Sequence, residues 1–172
     1  MNSRRPVNRT FGIMKILVPI VFGLAVIWLL AILLRSKGTG QEPTYATRDQ
    51  IRSIVSRLQR TGRDGSFVVF MFSIPGNHDE TLPNLQYSVE DGRLGFDWVL
   101  IAPQNIKDET AVTDFIKRFG YTSSKREMNG VHYLRFEGKG VEDLGLKILQ
   151  GFYHLPSDTK LELIVEGFDM KE

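Results

Sequence analysis

The sequence predicts an α+β domain, a mainly antiparallel sheet with helices packed on it, carried on one N-terminal transmembrane helix. Three observations predict it. Residues 16–34 form a single uncharged apolar run. Asp91-Gly92 and Asn129-Gly130 each lie between alternating apolar segments, which is the signature of a tight β-hairpin. Three further segments repeat apolar residues at helical spacing.

The chain divides into a basic tail over 1–15, the span over 16–34, a linker over 35–44 and one domain over 45–172. At a rise of about 1.5 Å per residue, the run Ile16–Leu34 matches the roughly 30 Å hydrocarbon core of a bilayer. Only a helix satisfies such a backbone in lipid. The run is longer than a signal-peptide core, and Ala31-Ile32-Leu33-Leu34-Arg35 carries no small-residue cleavage pattern. Arg4, Arg5, Arg9 and Lys15 precede it, which favours a cytoplasmic N-terminus and a domain outside the cytoplasm. Ser36–Thr44 consists of turn and linker residues.

The domain opens with a helix over Thr47–Thr61. Thr47 and Gln50 form a capping box, Ile51, Ile54, Val55 and Leu58 make the apolar stripe, and Gly62 stops it. Phe67–Ile74 is an apolar run interrupted by Ser73 alone, expected as a strand buried on both faces. Leu85–Asp91 and Arg93–Ile101 form the first hairpin, with Tyr87, Phe96 and Trp98 on one face. Asp108–Phe119 is a second helix. Tyr121–Met128 and Val131–Glu137 form the second hairpin. Val141–Leu155 is a third helix, stopped by Pro156, and Lys160–Glu166 is a last strand. The expected order is αβββαββαβ.

Charge narrows the partners. The chain has 22 Lys+Arg against 20 Asp+Glu, but six of those cations and only Glu42 precede residue 45. The domain is therefore net negative, which argues against a nucleic-acid binder. With no cysteine, a disulfide scaffold, a thiol nucleophile and a cysteine zinc site are excluded.

The first eight elements, over residues 45–155, resemble the type III secretion chaperone-like fold in order. That resemblance implies protein binding and homodimerisation. A second, local resemblance lies in Gly76-Asn77-His78-Asp79, directly after an apolar strand. It is similar to the Gly-Asn-His-Asp/Glu block of calcineurin-like metallophosphoesterases, which implies a two-metal centre for phosphoester hydrolysis, with His78 and Asp79 as metal candidates. The family's other blocks are missing: no histidine precedes His78, no Gly-Asp-x-x-Asp occurs, and His132 and His154 stand alone. The segment Pro75–Asn84 is therefore read as a polar loop of turn formers.

Two candidate binding surfaces follow. Arg48, Arg52, Arg57 and Arg60 give the first helix a basic face shortly after the membrane exit, suited to anionic lipid or an acidic partner. Tyr87 and Trp98 are aromatic anchors for an interface, although Trp98 alternates with Phe96 and Leu100 as a core residue would. The functional expectation is a membrane-anchored protein-interaction domain with no cofactor, set against a phosphoester hydrolase built on the Gly76–Asp79 loop.

Overall fold

The computed structural model describes residues 44–76 and 81–170. The basic tail, the apolar span over 16–34, the linker up to residue 43, and Asn77, His78 and Asp79 lie outside the described residues. Among the described residues no helix is long and apolar enough to cross a membrane.

Seven antiparallel strands form one sheet, in the spatial order β1-β7-β2-β3-β4-β6-β5. In chain order, β1 is Thr44–Thr47, followed by a 3-10 turn Arg48–Gln50 and helix α1, Ile51–Thr61. Strands β2 (Phe67–Met71), β3 (Asn84–Glu90) and β4 (Arg93–Val99) come next, then helix α2 (Pro103–Lys117), then β5 (Ser123–Met128) and β6 (Val131–Glu137). A third helical stretch opens as a 3-10 turn at Val141–Asp143, becomes α-helical as α3 (Leu144–Lys147) and widens into a π turn at Ile148–Phe152. Strand β7 is Lys160–Glu166.

Both hairpins form over the expected turns. Asp91 (φ 52°), Gly92 (φ 70°), Asn129 (φ 53°) and Gly130 (φ 80°) all take the left-handed region that a two-residue type I′ turn requires. Three expectations need correction. Thr44–Thr47, read as linker and cap, is an edge strand whose Thr44 pairs with Leu163, so the observed order gains a strand at its front. Strand β2 ends at Met71 rather than Ile74, because Phe72 donates its N–H to the Pro83 carbonyl (3.1 Å) and the chain turns away at Gly76 (φ 82°). Helix α2 starts at Pro103, five residues before the expected Asp108. Proline suits a first helical turn, where its missing N–H is not needed.

The three helical stretches pack on one face of the sheet. Ile51, Val55 and Leu58 of α1 meet Val68, Phe70, Leu85, Tyr87, Phe96 and Trp98. Tyr87 ties this core to α3: its hydroxyl donates to the Glu142 carbonyl (3.1 Å) and accepts from the Gly145 N–H (2.7 Å). A Cβ at position 145 would sit 2.9 Å from that hydroxyl, so glycine is what allows the close approach. Tyr87→Phe orphans the Gly145 N–H. It is expected to lower the unfolding free energy by about 1–2 kcal/mol, read from urea titration.

The other face carries no described helix. Phe67, Val69 and Met71 pack there with Leu82, Ile101 and Ile164. Val99, Val131 and Tyr133 pack with Met128. Between the two apolar patches runs a polar stripe of Ser88, Asp97 and Arg135.

Candidate functional site

Strand β5 borders the sheet and, among the described residues, pairs only with β6. The turn fixes which of its backbone groups face outward. In a two-residue hairpin the residues flanking the turn, Met128 and Val131, exchange both hydrogen bonds. Alternation then pairs Arg126 with Tyr133 and Ser124 with Arg135 in the same way. The N–H and C=O of Ser123, Lys125 and Glu127 therefore point away from the sheet. The side chains of Ser124, Lys125, Arg126 and Glu127 are all exposed. Glu127 Oε2 lies 3.5 Å from His132 Nδ1. Among the described residues the side chains of Lys125 and Arg126 make no hydrogen bond or ion pair, although the Arg126 charge helps hold the Glu137 pKa low.

Behind this edge sits an ionic cluster that holds its strands in register. The Arg135 guanidinium, with its side chain fully buried, donates to Asp97 Oδ1 (2.9 Å), Ser88 Oγ (2.9 Å), Glu137 Oε1 (2.7 Å) and the Arg93 carbonyl (3.1 Å). Ser88 donates in turn to Asp97 Oδ2 (2.5 Å). Glu90 Oε1 lies 3.4 Å from the guanidinium and accepts from the Tyr133 hydroxyl (3.2 Å). The guanidinium lies over Gly95, the one residue there without a side chain to displace it.

Burial pushes the Asp97 carboxyl up from 3.8 to about 6, against the opposing pull of Arg135 and the Ser88 hydroxyl. The hydrogen bond from Arg135 holds Glu137 below the usual carboxylate range. Burial opposes the charge on Arg135, but Asp97, Glu137 and Glu90 outweigh it and raise its pKa. Ser88 and Asp97 are as close as a nucleophile and its base, yet Ser88 is 4%, Asp97 0% and Arg135 1% exposed. No substrate reaches them in this conformation, and the cluster cross-links β3, β4 and β6.

Asp97 carries a pH signature. Its folded-state pKa lies above its unfolded value, so the folded protein binds that proton more tightly. The stabilisation is complete below the unfolded pKa and is lost as pH rises through about 6. Relative to Asp97→Asn, the wild type is expected to gain up to about 3 kcal/mol between about pH 7 and about pH 4, read from urea midpoints. A constant gap between the two would remove this assignment.

A second polar group anchors α2 beside the β2–β3 loop. Asn105 pairs its side-chain amide with the Asn84 backbone, accepting from its N–H (3.1 Å) and donating to its carbonyl (2.9 Å). Trp98 Nε1 donates to the Asn105 carbonyl (2.9 Å). Tyr153 and Gln104 both donate to Asp108 Oδ2, at 2.7 and 2.6 Å. The loop that rises from this base carries Gly76, while His78 and Asp79 fall outside the described residues. Among the described residues no group of three or more His, Cys, Asp or Glu could hold a metal ion.

The arginines expected to form a basic face are largely turned onto the domain itself. Arg48 Nη1 donates to the Leu155 carbonyl (2.5 Å), Arg52 forks onto Asp143 (2.7 and 2.6 Å), and Arg57 Nη1 donates to the Met170 carbonyl. Arg60 stays exposed. Helical spacing showed the stripe but not these partners, which lie about a hundred residues downstream. Tyr87 and Trp98 are both 0% exposed, so neither presents a surface to a partner, and Trp98 belongs to the core. Arg135, Asp97 and Ser88 were not singled out from sequence. Their signal was a charge inside an apolar strand, Leu134-Arg135-Phe136 beside Phe96-Asp97-Trp98.

No family model, curated protein or solved structure matches this chain.

Proposed function

We propose that the chain is a membrane-tethered interaction module. Residues 16–34 hold it in a bilayer, residues 1–15 lie on the cytoplasmic side, and the sheet domain engages a protein partner outside. The observation that carries this reading is the β5 edge, a whole strand with outward backbone groups and two exposed cations. Edge strands take up extended segments of other chains through main-chain hydrogen bonds. The resemblance in element order to type III secretion chaperones, which begins at α1, supports protein binding independently of that edge.

The test is site-specific photocrosslinking in intact membranes, with a photoreactive residue at Lys125 or, as control, at the exposed Ser157 on the loop before β7. A discrete adduct from position 125 and none from 157 is expected. Absence of an adduct at 125 would overturn the reading. The anchor has its own check: the full chain should stay with membranes through alkaline carbonate extraction, and a chain lacking residues 16–34 should not.

A further inference from the structure

The geometry points to the chemistry of that partner, and this inference rests on the edge-strand reading above: β5 takes up an extended acidic segment of a different protein, with two consecutive carboxylates set against Lys125 and Arg126. Pairing of β5 with its own copy in a symmetric dimer is disfavoured first.

Two identical edge strands pair antiparallel about a two-fold axis. Hydrogen bonding requires outward-facing residues to meet outward-facing residues, so Ser123, Lys125 and Glu127 can oppose only one another. Every allowed register then places one residue directly opposite its own copy. For registers that overlap most of the strand, that residue is Lys125 or Arg126. Each choice sets two like charges face to face, which destabilises the pair. Registers centred on Ser124, Glu127 or Met128 leave only a short overlap at one end of the strand.

The second step concerns what does fit. Lys125 and Arg126 are adjacent, so they lie on opposite faces of the sheet and flank an incoming strand from both sides. Glu127 already has His132 at 3.5 Å. An incoming strand therefore meets one exposed cation on each face. Two neighbouring Glu or Asp residues in an extended segment answer both at once, because alternation sends their side chains to opposite faces as well. The outward N–H and C=O of Lys125 sit at the centre of the same contact.

The experiment measures fluorescence anisotropy of the full chain in neutral detergent, with two labelled peptides. One is Val-Thr-Val-Glu-Glu-Val-Thr-Val, and the other carries Lys-Lys in place of Glu-Glu. The acidic peptide is expected to bind about tenfold more tightly, and the preference should shrink in high salt. Lys125→Glu combined with Arg126→Glu should reverse the preference. Lys125→Pro removes an outward N–H without touching the β5–β6 ladder, so it should abolish binding while the circular dichroism spectrum holds.

Equal binding of both peptides, or binding that survives Lys125→Pro, would overturn the proposal. So would a dimer of the full chain that Lys125→Pro dissolves. If neither peptide binds while photocrosslinking at position 125 still yields an adduct, the acidic partner is wrong and the interaction module stands. If both experiments are negative, both readings fall.

Discussion

Arg135→Met is expected to lower the unfolding free energy by about 3–5 kcal/mol, a large share of the stability of a domain this size. The loss does not measure the attraction between Arg135 and Asp97. It reflects what the substitution leaves behind: a carboxylate with 0% exposure, deprived of the one cation that hydrogen-bonds it among the described residues, with Glu90 and Glu137 still close by. Replacing the whole set, with Arg135→Met, Asp97→Leu and Ser88→Ala together, removes the stranded charge and is expected to recover most of the loss. Urea titration of the single and triple variants checks this. A single variant within about 1 kcal/mol of wild type would show that the cluster holds nothing in place.

Gly95→Ala is expected to cost about 3 kcal/mol by the same assay, large for the addition of one methyl group. A Cβ there would fall 2.3 Å from Arg135 Cζ and 2.5 and 2.6 Å from its terminal nitrogens. A surface arginine would swing aside at little cost. This one is held by Asp97, Ser88, Glu137 and the Arg93 carbonyl, and moving it breaks those bonds together. The effect must therefore depend on Arg135. In the Arg135→Met background, Gly95→Ala should cost only about 1 kcal/mol, so the two substitutions are strongly non-additive. Additive losses would mean that Gly95 matters for its backbone and not for the room it gives the guanidinium.

The parts of the fold that were legible in sequence share one property, that their signal is local. Both hairpins were readable from an Asx-Gly pair, and β7 from a short alternating run before a turn. Helix α1 was readable from four apolar positions and a stop. Strand β1 was not, because Thr44–Thr47 is too short to alternate and is held by a partner strand more than a hundred residues away. The first half of α2 was not, because Ile106 is exposed and gives no stripe. The third helix was visible as a stretch, but its change from 3-10 to α to π has no local signal; Gly145 and Gly151 within it approach Tyr87 and Phe115 closely.

The site was less legible than the fold for the same reason. Arg52 and Arg57 read as a solvated cationic face until their partners Asp143 and Met170 are seen. Arg135 and Asp97 read as interruptions in apolar strands, although such interruptions are what a buried ion pair looks like one strand at a time. The β5 edge could have been suspected from Ser-Ser-Lys-Arg-Glu-Met, a strand too polar to lie inside a sheet.

The position of β7 sets the order of events during synthesis. The last strand made lies between β1 and β2, and among the described residues β1 pairs with no other strand. As the chain leaves the ribosome, Thr44–Thr47 has nothing to pair with until Lys160–Glu166 has emerged. The hairpins can form early and locally, but the β1 border closes last, through contacts that span nearly the whole domain. A nascent chain halted before Lys160 should therefore remain sensitive to protease at both β1 and β2, and translation through Glu166 should protect the two together.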